Sequence, residues 1–443
     1  MQRKLKIAMV ASCPFPANHG TPGAIRELSL FLHKQGHEVH VVTYPQYEEG
    51  LTTEGLIIHR VESKRFKDDK ITIGPSKSRV VYDYLLIPKL IEVIRTHDID
   101  IIHAHNYEAN IAGWVAKLFT KTPLVYNGIN SMADELPTYN VLKPKWFFRA
   151  FGKLLDYIVP RMGNASMVLS DELKGYLTEN MNINSDKVFV IPPGVDPSLF
   201  SHGNRQVIFD KLSLSPDTPI ILYTGAIEGF QRIDLLMRAM GTVAKQMPEA
   251  KLLIAGNVKN DKAKTELLKL AEEVGAHNNV IMVENVSFPQ LPDFLDAATV
   301  TVSPRTSCPG YPIKLLNYMA AGKAIVSFAG SAKALCHGYN GYVAKDEDTE
   351  DFAKGILMLL KDPQLSAVLG QRAFETIQGN FDWDAIARGT VEIYAQLVDR
   401  GQIDTARLRN VVKKSYIPEF VEVTSAGSSF LKEGVLTFPQ YDQ

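Results

Sequence analysis

The sequence predicts an α/β protein made of two doubly wound, Rossmann-like domains. Three observations support this prediction. The chain has 443 residues, which is long for a single hydrophobic core. Short apolar runs alternate with amphipathic stretches of helical periodicity, a pattern typical of a parallel sheet covered by helices. This alternation stops at Pro192, Pro193 and Gly194 and then starts again.

The first alternation supplies one predicted sheet. We expect strands in KIAMVA, HEVHVVTYP, IDIIHAHN, TPLVYNGIN, ASMVLS and KVFVIPPGVD. Helical spacing of apolar residues predicts helices in AIRELSLFLHKQG, LLIPKLIEVIRTH and ANIAGWVAKLF. Residues 1–200 are therefore predicted to form the N-terminal domain.

The second alternation predicts a similar domain over residues 201–382. Strands are expected in PIILYTGAI, AKLLIAGN, NVIMVE, TVTVSPR and KAIVSF. The intervening helices include DLLMRAMGTVAKQ, KTELLKLAEEVG, LPDFLDAA and YPIKLLNYMAAG, and two more follow in DTEDFAKGILMLLKD and LSAVLGQRAFETIQG. We expect a last helix at 383–400 to pack back on the N-terminal domain, and 401–443 to be an extension of unknown role.

Composition excludes several classes of protein. The apolar fraction of 45% and the charged fraction of 22% are ordinary for a globular chain, and a net charge of −1 argues against a nucleic-acid binder. Three scattered cysteines give neither a disulfide framework nor a metal-binding spacing, which fits a reducing compartment. No run of about 18 uncharged apolar residues predicts a transmembrane helix. We expect a cytoplasmic protein, with association at the cytoplasmic membrane face left open.

The segment SPRTSCPGYPIKLLNYMAAGKAIVSF carries the strongest chemical signal. A predicted strand ends at Arg305, a Gly/Pro loop follows, and Lys314 lies in the first turn of the next helix. A cation at a helix N-terminus is unfavourable for stability, so two cations around a glycine loop suggest an anionic ligand such as a phosphate. The alternative is a pair of solvated surface cations.

A second glycine loop, HGTPGAIREL, places Gly20 and Gly23 before the first helix. Unpaired N–H groups at a helix N-terminus bind phosphate, and glycine lets a ligand approach the backbone closely. The alternative is a tight strand-to-helix turn. Since the loop does not match GxGxxG, dinucleotide binding is disfavoured.

Polar residues follow the strand IDIIHAHNYE. His103 and His105 share one face of the strand, but no motif supplies a third metal ligand. We therefore expect His103 to be a satisfied buried histidine. His105 lies nearer the strand end and is the better site candidate, followed by Asn106 and Glu108.

Asn130, Asp134 and Glu135 follow the strand PLVYNGIN. Carboxylates beyond a strand end can accept hydrogen bonds from sugar hydroxyls. They can equally serve as helix caps, and the sequence does not separate the two roles.

Residues 143–153, KPKWFFRAFGK, combine four aromatic side chains with four basic ones. Such a helix suits contact with an anionic membrane surface. The alternative is a core-facing aromatic side with solvated cations on the other side.

Several ordered segments together resemble a known family. They are GTPGAIRELSLFLHKQGHEVHVVT, DIIHAHNYE, VIPPGVDPSLF, ILYTGAIEGFQRIDLLMRAM, KLLIAGN, PIKLLNYMAAGKAIV and HGYNGYVAKDED. Up to about residue 398 the chain resembles the retaining GT-B glycosyltransferases of family four. The resemblance implies two domains facing a central cleft, with a nucleotide-sugar donor in the C-terminal domain and an acceptor in the N-terminal one. It implies neither a metal ion nor an organic cofactor.

The chain departs from the family pattern at several positions. The two usual glutamates of the nucleotide-binding segment fall at Pro309 and Asn317, and the usual Arg and Lys that hold the donor diphosphate fall at Ala226 and Gln231. The histidine that follows the fourth strand falls at Ile129 or Asn127, depending on the alignment. Some branches similar to this chain use the Arg and Lys of an SPR…PxK segment instead.

The resemblance assigns roles to the candidate residues. The catalytic set is Arg305, Lys314 and His105. The donor-binding set is Gly20, Gly23, Gly225, Glu228, Arg232, Gly310, Ile313, Leu315 and Asn317. The acceptor-binding set is Asn106, Glu108, Asn130, Asp134 and Glu135.

The predicted activity is retaining transfer of a sugar from a nucleotide-sugar to a glycan or lipid-linked acceptor, in polysaccharide or glycoconjugate biosynthesis. The departures favour one alternative class, a catalytically inactive GT-B protein that binds a sugar nucleotide or assists an assembly partner. A sugar epimerase on the same fold is a weaker third hypothesis, because epimerases usually carry more catalytic carboxylates and histidines around the cleft.

Overall fold

The computed structural model describes residues 3–17, 20–62, 77–138, 143–256, 261–308, 311–378 and 380–401. The chain divides into two compact units. The first unit contains the residues up to Gly194 together with the segment that begins at Trp383, and the second contains Val195–Asp382.

The first unit is built on a seven-stranded parallel sheet. Its strands are β1 (Lys6–Ala11), β2 (Glu38–Thr43), β3 (Ile57–Arg60), β4 (Ile101–His105), β5 (Leu124–Gly128), β6 (Ala165–Val168) and β7 (Val188–Val190). Their order is β3-β2-β1-β4-β5-β6-β7, so the direction of winding reverses between β1 and β4. The sequence analysis missed β3, because this short edge strand is mostly half-exposed and lacks a buried apolar run.

Six α-helices of the first unit precede the second unit in the described part of the chain. They are α1 (Gly20–Lys34), α2 (Lys77–His97), α3 (Asn106–Thr120), α4 (Met132–Glu135), α5 (Lys145–Ile158) and α6 (Asp171–Gly175). Apolar side chains project from both faces of the sheet. Those of Ile7 and Met9 on β1 join α1 in one core cluster, while those of Ala8 and Val10 join the cluster that contains α2 and α3. Because both faces are covered, β1, β2 and β4 are buried along almost their whole length rather than at alternate residues.

The second unit repeats this plan with six parallel strands. They are β8 (Ile220–Thr224), β9 (Lys251–Gly256), β10 (Val280–Glu284), β11 (Val300–Ser303), β12 (Ala324–Phe328) and β13 (Tyr342–Ala344), in the order β10-β9-β8-β11-β12-β13. The helices are α7 (Arg205–Leu212), α8 (Ile233–Gln246), α9 (Asp261–Glu273), α10 (Leu291–Ala297), α11 (Ile313–Ala320), α12 (Thr349–Lys361) and α13 (Pro363–Ile377). The winding reverses between β8 and β11. The predicted α/β class with two doubly wound parallel sheets is confirmed.

The last described helix, α14 (Trp383–Arg400), belongs to the first unit and packs against α1. The Trp383 ring lies against Gly194, where a Cβ atom would come within 2.4 Å of the ring. The Tyr394 hydroxyl is hydrogen-bonded to His103 Nδ1 at 2.5 Å, which ties the helix to β4. Within the described residues, none of the helices combines the length and apolarity that a membrane crossing requires.

Candidate functional site

The candidate anion site lies where the winding of the second sheet reverses. Gly225 follows the carboxyl end of β8, and Arg305 follows the carboxyl end of the neighbouring strand β11. In open α/β sheets, ligands bind outside the carboxyl ends of the strands at such a reversal. The position in the fold therefore agrees with the chemical signal that the sequence gives for Arg305 and Lys314.

Lys314 is held in place by two uncharged groups. Its Nζ donates hydrogen bonds to the Tyr223 hydroxyl at 2.9 Å and to Gln231 Oε1 at 2.8 Å, and it lies 4.2 Å from the centre of the Tyr223 ring. Tyr223 in turn donates its hydroxyl hydrogen to the Ala226 carbonyl at 2.9 Å. An ammonium group carries three N–H donors. Among the described residues two of the three have acceptors, and no carboxylate pairs with the charge.

Gly225 gives Lys314 the room that it occupies. The φ angle of Gly225 is +122°, a conformation that only glycine adopts easily. A Cβ atom at this position would lie 3.2 Å from Lys314 Nζ. The loop also approaches β9 closely, because a Cβ atom at Gly256 would lie 2.1 Å from the Gly225 carbonyl oxygen. A side chain at Gly225 would therefore strain the backbone and force Lys314 Nζ to shift by a few tenths of an ångström.

Arg305 places a second cation beside Lys314. Its guanidinium lies 5.1 Å from the centre of the exposed Phe230 ring, and its Nε donates to the Ser307 carbonyl. Burial lowers the pKa of Lys314 from 10.5 to about 7, and the Arg305 charge contributes to this shift. Neither cation pairs with a carboxylate in the part of the chain that is described. This arrangement is costly without a ligand and favourable around an anion.

Arg232 is in a different electrostatic situation. Its guanidinium forms ion pairs with Asp234 at 3.2 Å and with Glu347 at 2.7 Å. Two carboxylates therefore already neutralise Arg232, which the resemblance assigned to donor binding. Glu228, another predicted donor contact, is exposed and precedes the short turn that leads to Arg232.

The residues of α11 separate into core and surface positions. Leu315 was predicted to contact the donor, but its side chain is fully buried in the core and its N–H donates to the Pro312 carbonyl at 2.9 Å. Contact between Leu315 and the donor stays a prediction, and it would have to involve the backbone rather than the buried side chain. Ile313 is 46% exposed, and Asn317 is half-exposed on the same face as Lys314, one turn later. Gly310 and Pro309 lie outside the described residues.

The first unit carries a polar pair at the ends of β4 and β5. Asn127 Nδ2 lies 3.2 Å from His105 Nδ1 and donates to it. His105 Nε2 and Asn127 Oδ1 are buried and have no hydrogen-bond partner among the described residues. Burial lowers the pKa of His105 to about 3, so the ring is neutral and is a weak general base. Buried polar atoms without partners are unusual and indicate a place for a ligand or water.

His103, two residues before His105 on β4, is buried inside the first unit. Burial lowers the pKa of His103 well below 6.5, and Tyr394 is hydrogen-bonded to its Nδ1 atom. Its Nε2 atom is buried and has no partner among the described residues, so the expectation of a satisfied histidine holds for one ring nitrogen only. Asn106 follows His105 with a φ angle of +72° at the junction of β4 and α3. Asn tolerates this left-handed conformation better than most residues. Glu108 is exposed in the first turn of α3.

Asp156 organises the loop after β5, and the sequence analysis missed it. The fully buried carboxylate accepts hydrogen bonds from the backbone N–H groups of Met132 at 2.8 Å and Ala133 at 3.1 Å. It also accepts from the hydroxyls of Tyr107 and Tyr176. The sequence signal that could have identified Asp156 was an aspartate on the core-facing side of an amphipathic helix. Its bonds fix the start of α4.

Neighbouring side chains position the two carboxylates of α4. Ser131, rather than a carboxylate, caps this helix, since its Oγ accepts from the Asp134 N–H at 3.2 Å. The Ser131 hydroxyl donates to the exposed Asp134 carboxylate at 2.8 Å. Asn130 Nδ2 lies 3.5 Å from Glu135 Oε2. Asn130, Asp134 and Glu135 thus lie close together after the carboxyl end of β5.

The first turn of α1 is open to a ligand. Gly20 begins the helix with a φ angle of +38°, and a Cβ atom there would meet none of the described residues within 4 Å. At Gly23 the one described atom that a Cβ would meet is the Ala17 carbonyl oxygen, at 3.8 Å. The described residues therefore leave space at both glycines that the sequence analysis singled out.

Helix α5 presents an apolar face that the described structure leaves exposed. Its large exposed side chains span about 140° of the helix circumference at 100° per residue, and they are Trp146, Phe147, Phe151, Leu154, Tyr157 and Ile158. The opposite side of the helix contains the buried residues Gly152 and Asp156.

Two family models match most of the chain. The model described as Glycosyltransferase Family 4 matches residues 20–199, and the model described as Glycosyl transferases group 1 matches residues 204–376. The chain is 26% identical over 317 residues to D-inositol 3-phosphate glycosyltransferase 2 of Catenulispora acidiphila, covering 68% of this chain and 71% of the relative. It is 25% identical over 397 residues to D-inositol 3-phosphate glycosyltransferase of Pseudarthrobacter chlorophenolicus, covering 85% and 90%.

Solved structures share the fold. Sucrose-phosphate synthase from Thermosynechococcus elongatus superposes with a TM-score of 0.70 at 20% identity, over 89% of this chain and 100% of that one. HepE from Anabaena, solved in complex with UDP, superposes with a TM-score of 0.67 at 16% identity, over 89% and 100%. At these identities the likeness concerns the fold alone.

Proposed function

Since this chain belongs to family four of the GT-B glycosyltransferases, we propose that it transfers a sugar from a nucleotide-sugar donor with retention of the anomeric configuration. The observation that carries the proposal is the pair of cations, Arg305 and Lys314, at the reversal point of the second sheet. Neither has a carboxylate partner among the described residues, and both lie where this fold binds ligands.

The two cations have a defined task in such a reaction. Breaking the bond between the sugar and the phosphate releases a diphosphate, and negative charge develops on the leaving oxygen. Preorganised positive groups stabilise that charge in the transition state. Tyr223 and Gln231 hold Lys314 Nζ through two of its N–H groups. We assign the third N–H to the diphosphate, with Arg305 as the second contact.

This arrangement accounts for the departure from the family pattern. The resemblance places the usual diphosphate-binding Arg and Lys at Ala226 and Gln231. Lys314 Nζ lies 2.8 Å from Gln231 Oε1, so a cation from α11 reaches the neighbourhood of the replaced lysine. The positive charge of the site is supplied by a different element. With two cations on the leaving group, we expect this step to need no metal ion, and activity should persist in the presence of a chelator.

The remaining steps of the proposal concern the acceptor. Its hydroxyl attacks from the face that the leaving group occupies, and its proton passes to the departing diphosphate. His105 and Asn127, whose buried polar atoms lack partners among the described residues, would hydrogen-bond sugar hydroxyls. We place the acceptor near Asn106, Glu108 and the polar cluster of Asn130, Asp134 and Glu135. A glycan or a lipid-linked glycan is the proposed acceptor class.

The test of donor binding is calorimetric titration of the full chain with UDP-, GDP- and ADP-sugars. Charge-assisted contacts are worth about 1.5–3 kcal/mol, so Lys314→Ala should weaken the bound donor about ten- to a hundredfold. Lys262→Ala is the matched control, because that side chain is 87% exposed on α9. Turnover with the bound donor, followed by NMR of the product anomer, then tests retention.

The same experiment distinguishes the second candidate function, binding without turnover, from sugar transfer. A catalytically inactive protein that binds sugar nucleotides would show the Lys314-dependent binding without hydrolysis or transfer for any acceptor. If wild type binds no sugar nucleotide, the assignment of the two cations to the diphosphate is refuted.

The exposed face of α5 supports peripheral contact with a membrane. We propose that residues 143–153 bring the enzyme to a surface that carries a lipid-linked acceptor. Trp146 and Phe151 would enter the headgroup region while Lys145, Arg149 and Lys153, all exposed, would contact anionic headgroups.

Co-sedimentation with vesicles tests this contact. Vesicles that contain anionic lipid should retain wild type, and the double variant Trp146→Ser/Phe151→Ser should lose most of that binding. Phe119→Ser is the control, because Phe119 is 64% exposed on a different helix of the same unit. Equal binding of the double variant and of the control would remove α5 from the proposal.

A further inference from the structure

Three histidines from separate elements converge at the edge of the first unit, away from the candidate site. His40 lies on β2, His59 lies on the edge strand β3, and His97 is the last residue of α2. One ring nitrogen from each lies within 4.8 Å of the others. His40 is fully buried, whereas His59 and His97 are half-exposed. We call these three residues the histidine cluster.

The hydrogen bonds of His40 fix the direction of its lone pair. Glu38 Oε1 lies 3.0 Å from His40 Nε2, so this nitrogen carries the proton and donates to the carboxylate. The acceptor nitrogen, His40 Nδ1, then points at His59 Nε2, 2.9 Å away. A carboxylate on the far nitrogen of a histidine is the usual outer-shell partner in protein metal sites, where it fixes the tautomer and raises the basicity of the ligand.

The distances are close to those of a coordination sphere. Two imidazole nitrogens bound to Zn²⁺ at 2.0–2.1 Å with tetrahedral angles are separated by about 3.3 Å. The His40–His59 distance is already near that value. The remaining ligand distances, at most 4.8 Å, need to close by no more than about 1.5 Å. Side-chain rotation of His97, half-exposed at a helix end, can supply this movement.

The surrounding cations are bound to other groups. Lys6 Nζ donates to the His97 carbonyl at 2.9 Å, and Lys89 Nζ pairs with Glu92 at 3.0 Å. Both ammonium groups are therefore directed to oxygen acceptors. Three imidazoles with a carboxylate behind one of them form a donor set that suits zinc among the divalent ions.

We propose that the histidine cluster binds one Zn²⁺ ion through His40 Nδ1, His59 Nε2 and a ring nitrogen of His97, with Glu38 orienting His40 and solvent in the fourth position. In the metal-free protein, His59 Nε2–H donates to His40 Nδ1. Binding requires the other neutral tautomer of His59, with its proton on Nδ1.

The proposed role of the ion is structural. His40 and His59 lie on neighbouring strands, and α2 runs antiparallel to them, so that His97 lies toward the amino ends of the strands. The candidate sugar and anion sites lie at carboxyl ends. The ion would join the edge strand β3 and the end of α2 to β2. A clip that closes a long chain segment restricts the unfolded chain, and therefore stabilises the fold.

The test uses the full chain without a polyhistidine tag, stripped with a chelator and titrated calorimetrically with zinc chloride. Wild type should bind one equivalent. His59→Gln should lower the affinity by more than tenfold, and Glu38→Gln should lower it about 10–100-fold, the range for outer-shell partners. His277→Gln is the matched control, because His277 is exposed in the second unit. Cobalt(II) should give the visible absorption bands of tetrahedral coordination in wild type and in His277→Gln, but not in His59→Gln.

Two results would overturn the proposal. One is the absence of zinc binding by wild type, and the other is equal binding by wild type and His59→Gln. Either would leave the cluster as three neighbouring imidazoles, of which His40 and His59 are joined by a hydrogen bond. Circular dichroism of the stripped variants checks folding. If His59→Gln does not fold, His97→Gln, changed at a half-exposed helix end, provides the same comparison.

Discussion

Replacing Lys314 by methionine should stabilise the protein while it weakens donor binding. Methionine matches the length of the side chain without its charge. Burial lowers the pKa of Lys314 from 10.5 to about 7. At about 1.4 kcal/mol for each pH unit, holding the ammonium charged in this environment costs on the order of 5 kcal/mol.

Replacing the lysine removes this cost. It also removes the two hydrogen bonds to Tyr223 and Gln231, which are worth about 1 kcal/mol each. We therefore expect a net increase of about 1–3 kcal/mol in the free energy of unfolding. For a unit of this size each kcal/mol raises the thermal midpoint by about 2–4 °C. Because the folded-state pKa lies below the unfolded one, the penalty on wild type is complete below about pH 7. It disappears toward pH 10.5, and the advantage of Lys314→Met should shrink over the same interval.

Scanning calorimetry near pH 6 and near pH 10 measures the stability, and titration with the preferred nucleotide-sugar measures the affinity. The donor affinity should fall about ten- to a hundredfold. Lys262→Met, at an exposed position, should change neither quantity. A variant that is less stable than wild type near pH 6 would show that the ammonium supports the fold. Unchanged donor affinity would remove Lys314 from the diphosphate site.

Further predictions test the neighbourhood of this site and the first unit. Gly225→Ala should weaken donor binding at least about tenfold in titration, because its Cβ would lie 3.2 Å from Lys314 Nζ and the residue has a φ angle of +122°. Arg232→Ala should weaken donor binding less than Lys314→Ala in the same titration, because Asp234 and Glu347 already neutralise Arg232. Wild-type affinity for a sugar nucleotide, titrated from about pH 6 to about pH 9, should decrease above about pH 7 as Lys314 loses its proton, and a flat profile would contradict the role given to its charge. Asp156→Asn should lower the free energy of unfolding by about 2–4 kcal/mol in urea titrations, because the buried carboxylate accepts four hydrogen bonds.

The periodic pattern of the sequence determined the class of fold. Apolar runs such as KIAMVA are buried on both faces of a parallel sheet, and such burial leaves a continuous local pattern. The edge strands β3 and β13 were missed, because each is short and not fully buried. Lys314 could also be identified from the sequence, because a cation in the first turn of a helix is unfavourable for helix stability and Arg305 is close to it in the chain.

The tertiary structure alone decided which distant residues meet. Lys314 contacts Gln231 because β8 and β11 are neighbours in the sheet, and nothing local in either segment encodes that order. The same reason conceals the four hydrogen bonds of Asp156 and the convergence of His40, His59 and His97. Periodicity reports which side of an element faces the core, since burial is a property of a single segment. Pairing between side chains depends on strand order, register and helix placement, and these are fixed only when the whole chain packs.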